Sequence, residues 1–229
     1  MNRYKKIGII GGMGPETTVA FYQEIIRFFQ KERGARHNFE FPEMLVHNVP
    51  SPDNVEVGVD DELRDYLVRS ACILQDAGMD FIVIPCNSAH VHIDAVIEAV
   101  GIPVLNILQE SAKAISAGGV SGVLLLGTKS TLNYGLYNGY MERAGIPYTI
   151  PDEADRDEIT RVIMHVCDGS VNQEVRDRLE AVIARYPSAD GVVLGCTELP
   201  LVLGPDDIDQ EVFNTSLILA RATFDYCVS

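Results

Sequence analysis

The sequence predicts an α/β protein made of two halves, each built on a mostly parallel sheet. Short apolar runs rich in Val and Ile alternate with amphipathic stretches along the chain, a pattern typical of parallel strands covered by helices. Two of the apolar runs, at residues 81–85 and 191–195, are followed at once by a cysteine, Cys86 or Cys196. Chemistry in open α/β sheets takes place beyond the carboxyl ends of such strands.

The first half begins with an apolar strand, a glycine-rich turn and a helix whose apolar residues recur at helical spacing. A second strand, a Pro/Asp-rich loop and two further helix and strand pairs follow, ending beyond Cys86. In chain order we predict strand 6–10, turn 11–17, helix 18–33, strand 41–49, loop 50–54, helix 61–77, strand 80–85, helix 90–100 and strand 103–106.

The second half passes through a similar series of patterns. In chain order we predict helix 109–117, strand 123–126, turn 127–131, helix 133–144, strand 147–150, helices 157–166 and 173–186, strand 192–194 and a last helix at 212–226. In both halves the first strand leads into a glycine turn, and a later strand, 80–85 or 192–194, leads to a cysteine. Residue identities are barely similar between the halves, so the repeat is one of architecture.

We therefore predict two domains related by a pseudo-twofold axis. The first comprises residues 1–100 together with 209–229 and carries Cys86, and the second comprises residues 101–208 and carries Cys196. The last helix should pack back on the first half. The sheet edges are expected to face a shared cleft, which would hold the active site with one thiol on each wall.

Composition limits the classes of function. The formal charge of −15 argues against binding to nucleic acid, which needs a basic surface. No apolar stretch is long enough to cross a bilayer, and the apolar run at residues 7–10 is too short for a signal peptide. We expect a cytoplasmic protein. If its substrate is anionic, the pocket must supply local attraction, which backbone N–H groups and helix N-termini can provide.

The five cysteines divide into two groups. Their odd number and long spacings fit reduced thiols, and the absence of Cys-x-x-Cys or His-x-x-x-His patterns predicts no metal site. Cys72, Cys167 and Cys227 lie in helical patterns and are expected to be core residues. Cys86 and Cys196 each precede an expected helix N-terminus, which favours the thiolate. Two such thiols suggest an acid and a base acting on opposite faces of one small molecule.

The polar residues around these strand ends have two readings each. The glycine-rich turn at residues 11–15 matches neither Gly-x-Gly-x-x-Gly nor a P-loop; it either reverses the strand tightly or, as we favour, offers N–H groups to a carboxylate. Residues 87–88 and 197–198 can cap helices and contact substrate at once. We expect His90 and His92 to be surface helix residues.

Five segments of the chain together resemble the cofactor-independent aspartate/glutamate racemase family. They are GGMGP at 11–15, PSPD at 50–53, PCNSAH at 85–90, GTKST at 127–131 and GCTELP at 195–200. The resemblance implies a two-domain α/β fold, a homodimer, no pyridoxal phosphate or other cofactor, and Cys86 and Cys196 as the two catalytic bases. The substrate-binding residues that we place in or beside these segments are Met13, Asn54, Asn87, Ser88, Thr128, Ser130, Thr131, Thr197 and Glu198.

Two departures from the family pattern concern the substrate's side chain. Many aspartate racemases have Arg after Pro-x-Pro-Asp, where this chain has Asn54, and some have Lys near the stretch that corresponds to residues 169–171, where none occurs here. Both residues would suit a second carboxylate. Asn87-Ser88 replaces the usual Asn-Thr and keeps the hydroxyl. Aspartate or glutamate is the expected substrate. The sequence supports the reaction, racemisation, more strongly than it supports either of these substrates.

Three alternatives stay open on the sequence alone. A decarboxylase of the same superfamily needs only one of the two cysteines, so the presence of both counts against it. A cis–trans isomerase of small diacids can keep both. A non-catalytic small-acid-binding or redox-sensing protein would bind without turnover or join Cys86 to Cys196 in a disulfide.

Overall fold

A computed structural model describes residues 4–50 and 61–229, which form two compact units. The first unit comprises the described residues up to 107 and residues 216–229; the second comprises residues 108–215. In chain order the elements are β1 (Ile7–Gly11), α1 (Pro15–Arg33), β2 (Met44–Asn48), α2 (Asp61–Asp76), β3 (Phe81–Val83), α3 (Ile93–Ala99), β4 (Val104–Leu105), α4 (Ile107–Gly118), β5 (Val123–Leu126), α5 (Lys129–Asn133), α6 (Asn138–Ala144), β6 (Tyr148–Thr149), α7 (Glu153–Cys167), α8 (Gln173–Ile183), β7 (Gly191–Leu194), β8 (Glu211–Asn214) and α9 (Thr215–Val228).

The first unit is a parallel sheet in the order β2-β1-β3-β4. All five residues of β1 are buried, and Ile9 lies level with Val83 of β3. Because the strands are parallel, the segments that follow β1 and β3 leave the sheet at the same edge. Helix α1 begins with Pro15 at its first turn and ends at Gly34, whose φ of 65° is left-handed.

Helix α9 packs on the first unit, as predicted. The ring of Phe224 meets that of Phe29 edge-on at 5.0 Å between centroids, and Tyr226 meets Phe81 in the same way at 4.8 Å. The N–H of Lys5 donates to the carbonyl of Cys227 at 3.1 Å. The first unit is thus completed by residues far along the chain.

The second unit has a parallel sheet with the same strand order, β6-β5-β7-β8. Alternate residues of β5 and β7 share one face of this sheet. Helices α7 and α8 bury their apolar stripes in a common core with these strand residues. The core includes Leu124, Leu126, Val192, Leu194, Ile159, Val162, Ile163, Val166, Val175, Leu179, Val182 and Ile183.

The end of the second unit corrects the predicted last helix at 212–226. Its first residues form β8, because Val212 and Phe213 pair with Val192 and Val193 of β7. The hydroxyl of Thr215 then donates to the carbonyl of Leu194 at 2.8 Å, and α9 begins there. Pairing with a distant strand overrides the local helical pattern.

The same pairings move the domain boundaries. Strand β4 pairs with β3, so the first unit extends to residue 107, beyond the boundary predicted at 100. Strand β8 pairs with β7, so the second unit extends to residue 215 and not to 208.

Two predicted helices are also divided differently. The helix predicted at 133–144 is two helices, α5 and α6, separated by a turn in which Gly135 has a φ of 59°. The helix predicted at 90–100 is a 3₁₀ turn at Ser88–His92 followed by α3. Among the residues described, no helix has the length and apolar character that a membrane crossing requires.

Candidate active site

Cys86 lies in the first unit, in the turn that follows β3. Its side chain is buried, and its N–H donates to the carbonyl of Ile84 at 2.8 Å. The turn brings the hydroxyl of Ser88 to 3.4 Å from the Cys86 Sγ. The neighbouring Asn87 is also buried, so the thiol lies among polar groups below the protein surface.

His90 holds this turn in place. Its Nδ1 lies 2.8 Å from the carbonyl oxygen of Cys86, which can only accept, so Nδ1 carries the proton. Its Nε2 accepts from the N–H of Ile107 at 3.2 Å. The ring is therefore neutral, and burial lowers the pKa of His90 to about 4 against the opposing effect of the Cys86 carbonyl. The prediction that His90 lies on the protein surface is therefore wrong.

The glycine-rich loop after β1 reaches the same edge of the first sheet. Gly12 has a φ of +97°, and a Cβ there would lie 2.5 Å from the carbonyl oxygen of Val49. The hydroxyl of Thr18 accepts from the N–H of Gly12 and donates to the carbonyl of Gly14, both at 2.9 Å. These contacts fix the loop, which carries the buried side chain of Met13 beside the end of β1.

Cys196 occupies the corresponding place in the second unit, just beyond β7. Its Sγ donates to the Oε2 of Glu198 at 2.9 Å. The hydroxyl of Thr197 donates to the same oxygen at 3.4 Å. All three side chains are buried, so this thiol lies next to a carboxylate while Cys86 lies next to a hydroxyl.

A set of buried hydroxyls follows the neighbouring strand β5. Thr128 caps α5, since its Oγ1 accepts from the N–H of Thr131 at 3.1 Å, and the two hydroxyl oxygens are also 3.1 Å apart. Ser130 is buried in the same turn. The turns meet closely because Gly195 has no side chain: a Cβ there would lie 2.5 Å from the carbonyl oxygen of Leu126.

Comparison of this chain with known proteins identifies its family. The model of the Asp/Glu/hydantoin racemase family matches residues 10–223, which include both thiols. The chain belongs to the Asp/Glu/hydantoin racemase family. It is accordingly an enzyme of the isomerase class, and the resemblance inferred from the sequence motifs is confirmed.

Full-length relatives support this assignment. The racemase is 29% identical over 220 residues to the broad specificity amino-acid racemase RacX of Bacillus subtilis (strain 168), covering 95% of this chain and 96% of that one. Its fold matches the aspartate racemase of Picrophilus torridus with a TM-score of 0.83 at 26% identity, covering 96% and 93% of the two chains. An aspartate racemase homologue from Pyrococcus horikoshii OT3 matches with a TM-score of 0.79 at 30% identity, covering 96% and 98%.

The residues expected to bind substrate in the racemase fall into two groups by unit. Asn54 lies outside the described residues. Met13, Asn87 and Ser88 lie at the edge of the first sheet beside Cys86. Thr128, Ser130, Thr131, Thr197 and Glu198 lie at the edge of the second sheet beside Cys196.

Sequence reasoning missed the residues that hold these turns. His90 follows Cys86 by four residues, a spacing that could have suggested a ring bonded back to the preceding turn. Thr18 offers no such signal, because a threonine inside an amphipathic helix looks ordinary.

Within residues 4–50 and 61–229, no three His, Cys, Asp or Glu side chains gather as metal ligands would. At each of these sheet edges a buried thiol lies close to hydroxyl or carboxyl groups, a setting in which a thiol can give or accept a proton.

Proposed function

We propose that this racemase inverts the α-carbon of a free amino acid, with aspartate or glutamate as the first candidates, without pyridoxal phosphate. Cys86 and Cys196 would be the two proton-transfer groups. The observation that carries the proposal is the matched position of the two thiols. Each is buried in a polar turn beyond the third strand of its unit, in sheets of the same strand order.

The proposed reaction moves two protons. One cysteine, as thiolate, takes the α-proton from its face of the substrate; the other, as thiol, gives its proton to the opposite face of the carbanion. This mechanism requires both thiols to reach one α-carbon. Thiols suit the task because their ordinary pKa is near 8.5, closer to neutrality than that of a hydroxyl.

The carbanion needs donors aimed at the charge that develops on its carboxylate. Backbone N–H groups of the turns after Cys86 and Cys196 are candidates, together with the hydroxyls of Ser88, Thr128 and Thr197. Each well-placed donor of this kind is worth about 3 kcal/mol in the transition state. Such donors would also attract an anionic substrate to a protein whose net charge is −15.

Two features of the sequence and one relative favour a range of substrates wider than aspartate and glutamate. This chain has Asn54 and a lysine-free stretch at 169–171, where cationic residues would grip a second carboxylate. The Bacillus subtilis relative is named a broad specificity amino-acid racemase. We therefore include neutral amino acids as a second class of substrate.

The assembly and the compartment belong to the same proposal. We propose a homodimer in the cytoplasm, where thiols stay reduced. The odd number of cysteines and their long spacings support this compartment, since they fit thiols that stay reduced.

Cysteine variants test the mechanism directly. The purified protein, with no cofactor added, should racemise at least one member of a panel of L-amino acids in deuterated water, with α-deuterium incorporation followed by NMR. Cys86→Ala and Cys196→Ala should each lower racemisation by at least about a hundredfold, the lower range for a lost general acid or base. Each variant should exchange the α-proton of one enantiomer only, and the two should prefer opposite enantiomers.

Cys167→Ala is the matched control. The prediction that Cys167 is a core residue is wrong, since it is exposed at the end of α7, and its loss should leave racemisation unchanged. Three results would contradict the proposal. They are near-normal racemisation in either active-site variant, exchange of the same enantiomer by both, and binding of amino acids with no exchange by the unmodified protein.

A further inference from the structure

We propose that Glu198 is a positioning residue that holds Cys196 as a protonated thiol in the resting racemase, so that Cys86 begins as the base. The inference rests on the two-thiol mechanism proposed above and assigns its resting protonation state.

The surroundings of Cys196 favour its protonated form. The Cys196 S–H donates to Glu198 Oε2 at 2.9 Å, so the proton of this contact lies on the sulfur. The same oxygen accepts from the Thr197 hydroxyl, which supports the charge on the carboxylate. Cys196 is 5% exposed and Glu198 is 6% exposed, so a thiolate beside this carboxylate would meet a like charge with little water between them.

The contact described for the Cys86 sulfur is with an uncharged group. Its sulfur lies 3.4 Å from the Ser88 hydroxyl, which is neutral and can donate to a thiolate. His90 Nδ1–H donates to the carbonyl oxygen of Cys86, and its Nε2 accepts from the N–H of Ile107. Cys86 is 6% exposed, almost the same as Cys196. Exposure therefore does not distinguish the two thiols, and the assignment rests on the Glu198 carboxylate beside Cys196.

This asymmetry has a defined place in the proton balance of one turnover. When Cys86 removes the α-proton and Cys196 supplies its own, the enzyme is left with Cys86 as thiol and Cys196 as thiolate next to Glu198. Loss of a proton from Cys86 to solvent and gain of one by Cys196 restores the resting state, and the carboxylate favours that return. Because enantiomers have equal free energy, kcat/KM is equal in both directions, so the assignment must be read from the thiols themselves.

Alkylation of the free enzyme reads the two thiols separately. With iodoacetamide at neutral pH and peptide mass spectrometry, Cys86 should react about tenfold or more faster than Cys196, since the thiolate is the reactive form. In Glu198→Gln, which keeps the side-chain shape and removes the charge, the Cys196 rate should rise by about tenfold while the Cys86 rate stays unchanged. The ultraviolet absorbance of thiolate should increase in parallel.

Glu174→Gln is the matched control, because Glu174 is exposed in the first turn of α8 in the same unit. Faster alkylation of Cys196 than of Cys86 in the unmodified enzyme would overturn the assignment, and this measurement needs no variant to fold. An unchanged Cys196 rate in a folded Glu198→Gln protein would also overturn it. Either result leaves the proposed racemisation standing if α-proton exchange is intact, whereas loss of exchange in the unmodified enzyme refutes the function itself.

Discussion

His90 supports Cys86 through the backbone and not through the thiol. One ring nitrogen donates to the carbonyl of Cys86 and the other accepts from Ile107, which joins the turn after β3 to the start of α4. Protonation of Nε2 would remove its acceptor and place a charge in a buried site. The neutral ring is therefore part of the folded state.

A pH-dependent loss of stability should follow from this ring. The pKa of His90 falls from 6.5 to about 4 on folding, so the unfolded chain binds the proton more readily between those values. Stability is retained above pH 6.5 and declines as the pH falls toward 4, by about 2 kcal/mol at pH 5. Urea unfolding at pH 7 and pH 5 should show that His90→Gln lacks this part of the decline.

His92→Gln is the control for the His90 measurement, since His92 lies on the same 3₁₀ turn and is only half-buried. It should keep the decline of the unmodified protein. Equal pH dependence in His90→Gln and in the unmodified protein would contradict the neutral, buried ring.

Individual site residues differ in how far the sequence could predict them. Cys86 and Cys196 each follow an apolar strand, and the carboxyl end of such a strand is a predictable place. The hydrogen bond that His90 accepts from Ile107 comes from beyond β4, and no local pattern encodes that contact. The partner of Cys196 is close in sequence, since Glu198 is only two residues away. Sequence alone cannot tell a residue that caps a helix from one that accepts a hydrogen bond from a thiol.

At the scale of elements, helix caps have two kinds of position in this chain. Thr128 caps α5 at the edge beside Cys196, where we place substrate contacts. Asn172 caps α8, with its side-chain oxygen accepting from the N–H of Val175 at 3.1 Å. The two caps do similar work for their helices, and only one lies among the proposed site residues.

Removing each cap should separate stability from activity. Thr128→Ala and Asn172→Ala should each lower the free energy of unfolding by about 1 kcal/mol, the usual effect of losing an N-cap side chain. Only Thr128→Ala should also slow racemisation, because it removes a hydroxyl proposed to bind the substrate. Urea unfolding and α-proton exchange on both variants provide the check, and equal activity in the two would exclude Thr128 from the site.

Most elements could be predicted because strands and helices here carry the periodicity of their type. β5 matches its predicted range, and α2 and α8 begin at the predicted residues. β8 could not, since its four residues become a strand only through pairing with β7. The break between α5 and α6 was missed for a different reason: Thr128 caps a helix that begins earlier than the apolar pattern suggests, and that helix ends before Gly135.

At the scale of the whole molecule, the first unit is assembled from separated parts of the chain. The Phe224 ring packs against Phe28 and Phe29 at 5.9 and 5.0 Å, and the guanidinium of Arg221 lies 5.5 Å from its centroid. The sequence predicted this return of the last helix and the equal plan of the two halves. It could not place the boundaries, which depend on the pairings of β4 and β8.

Loss of the Phe224 ring should weaken the first unit selectively. Phe224→Ala should lower its stability by about 3 to 5 kcal/mol, since the ring is buried in an aromatic cluster. Hydrogen exchange should show reduced protection of amides in β1 and β3, with those in β5 and β7 little changed. Leu217→Ala on the exposed side of α9 is the control and should have a much smaller effect. Equal loss of protection in both units would contradict the assignment of the Phe224 ring to the first unit.

The way α9 completes the first unit has a consequence for biosynthesis. A ribosome makes β1 to β4 first, then the whole second unit, and only then the helix whose aromatic rings cover Phe29 and Phe81. While the second half is translated, and can already fold, the nascent first half keeps the apolar surface around Phe29 and Phe81 uncovered. Chaperones that recognise exposed aromatic groups could bind during that interval. The interval ends when α9 leaves the exit tunnel and covers the surface.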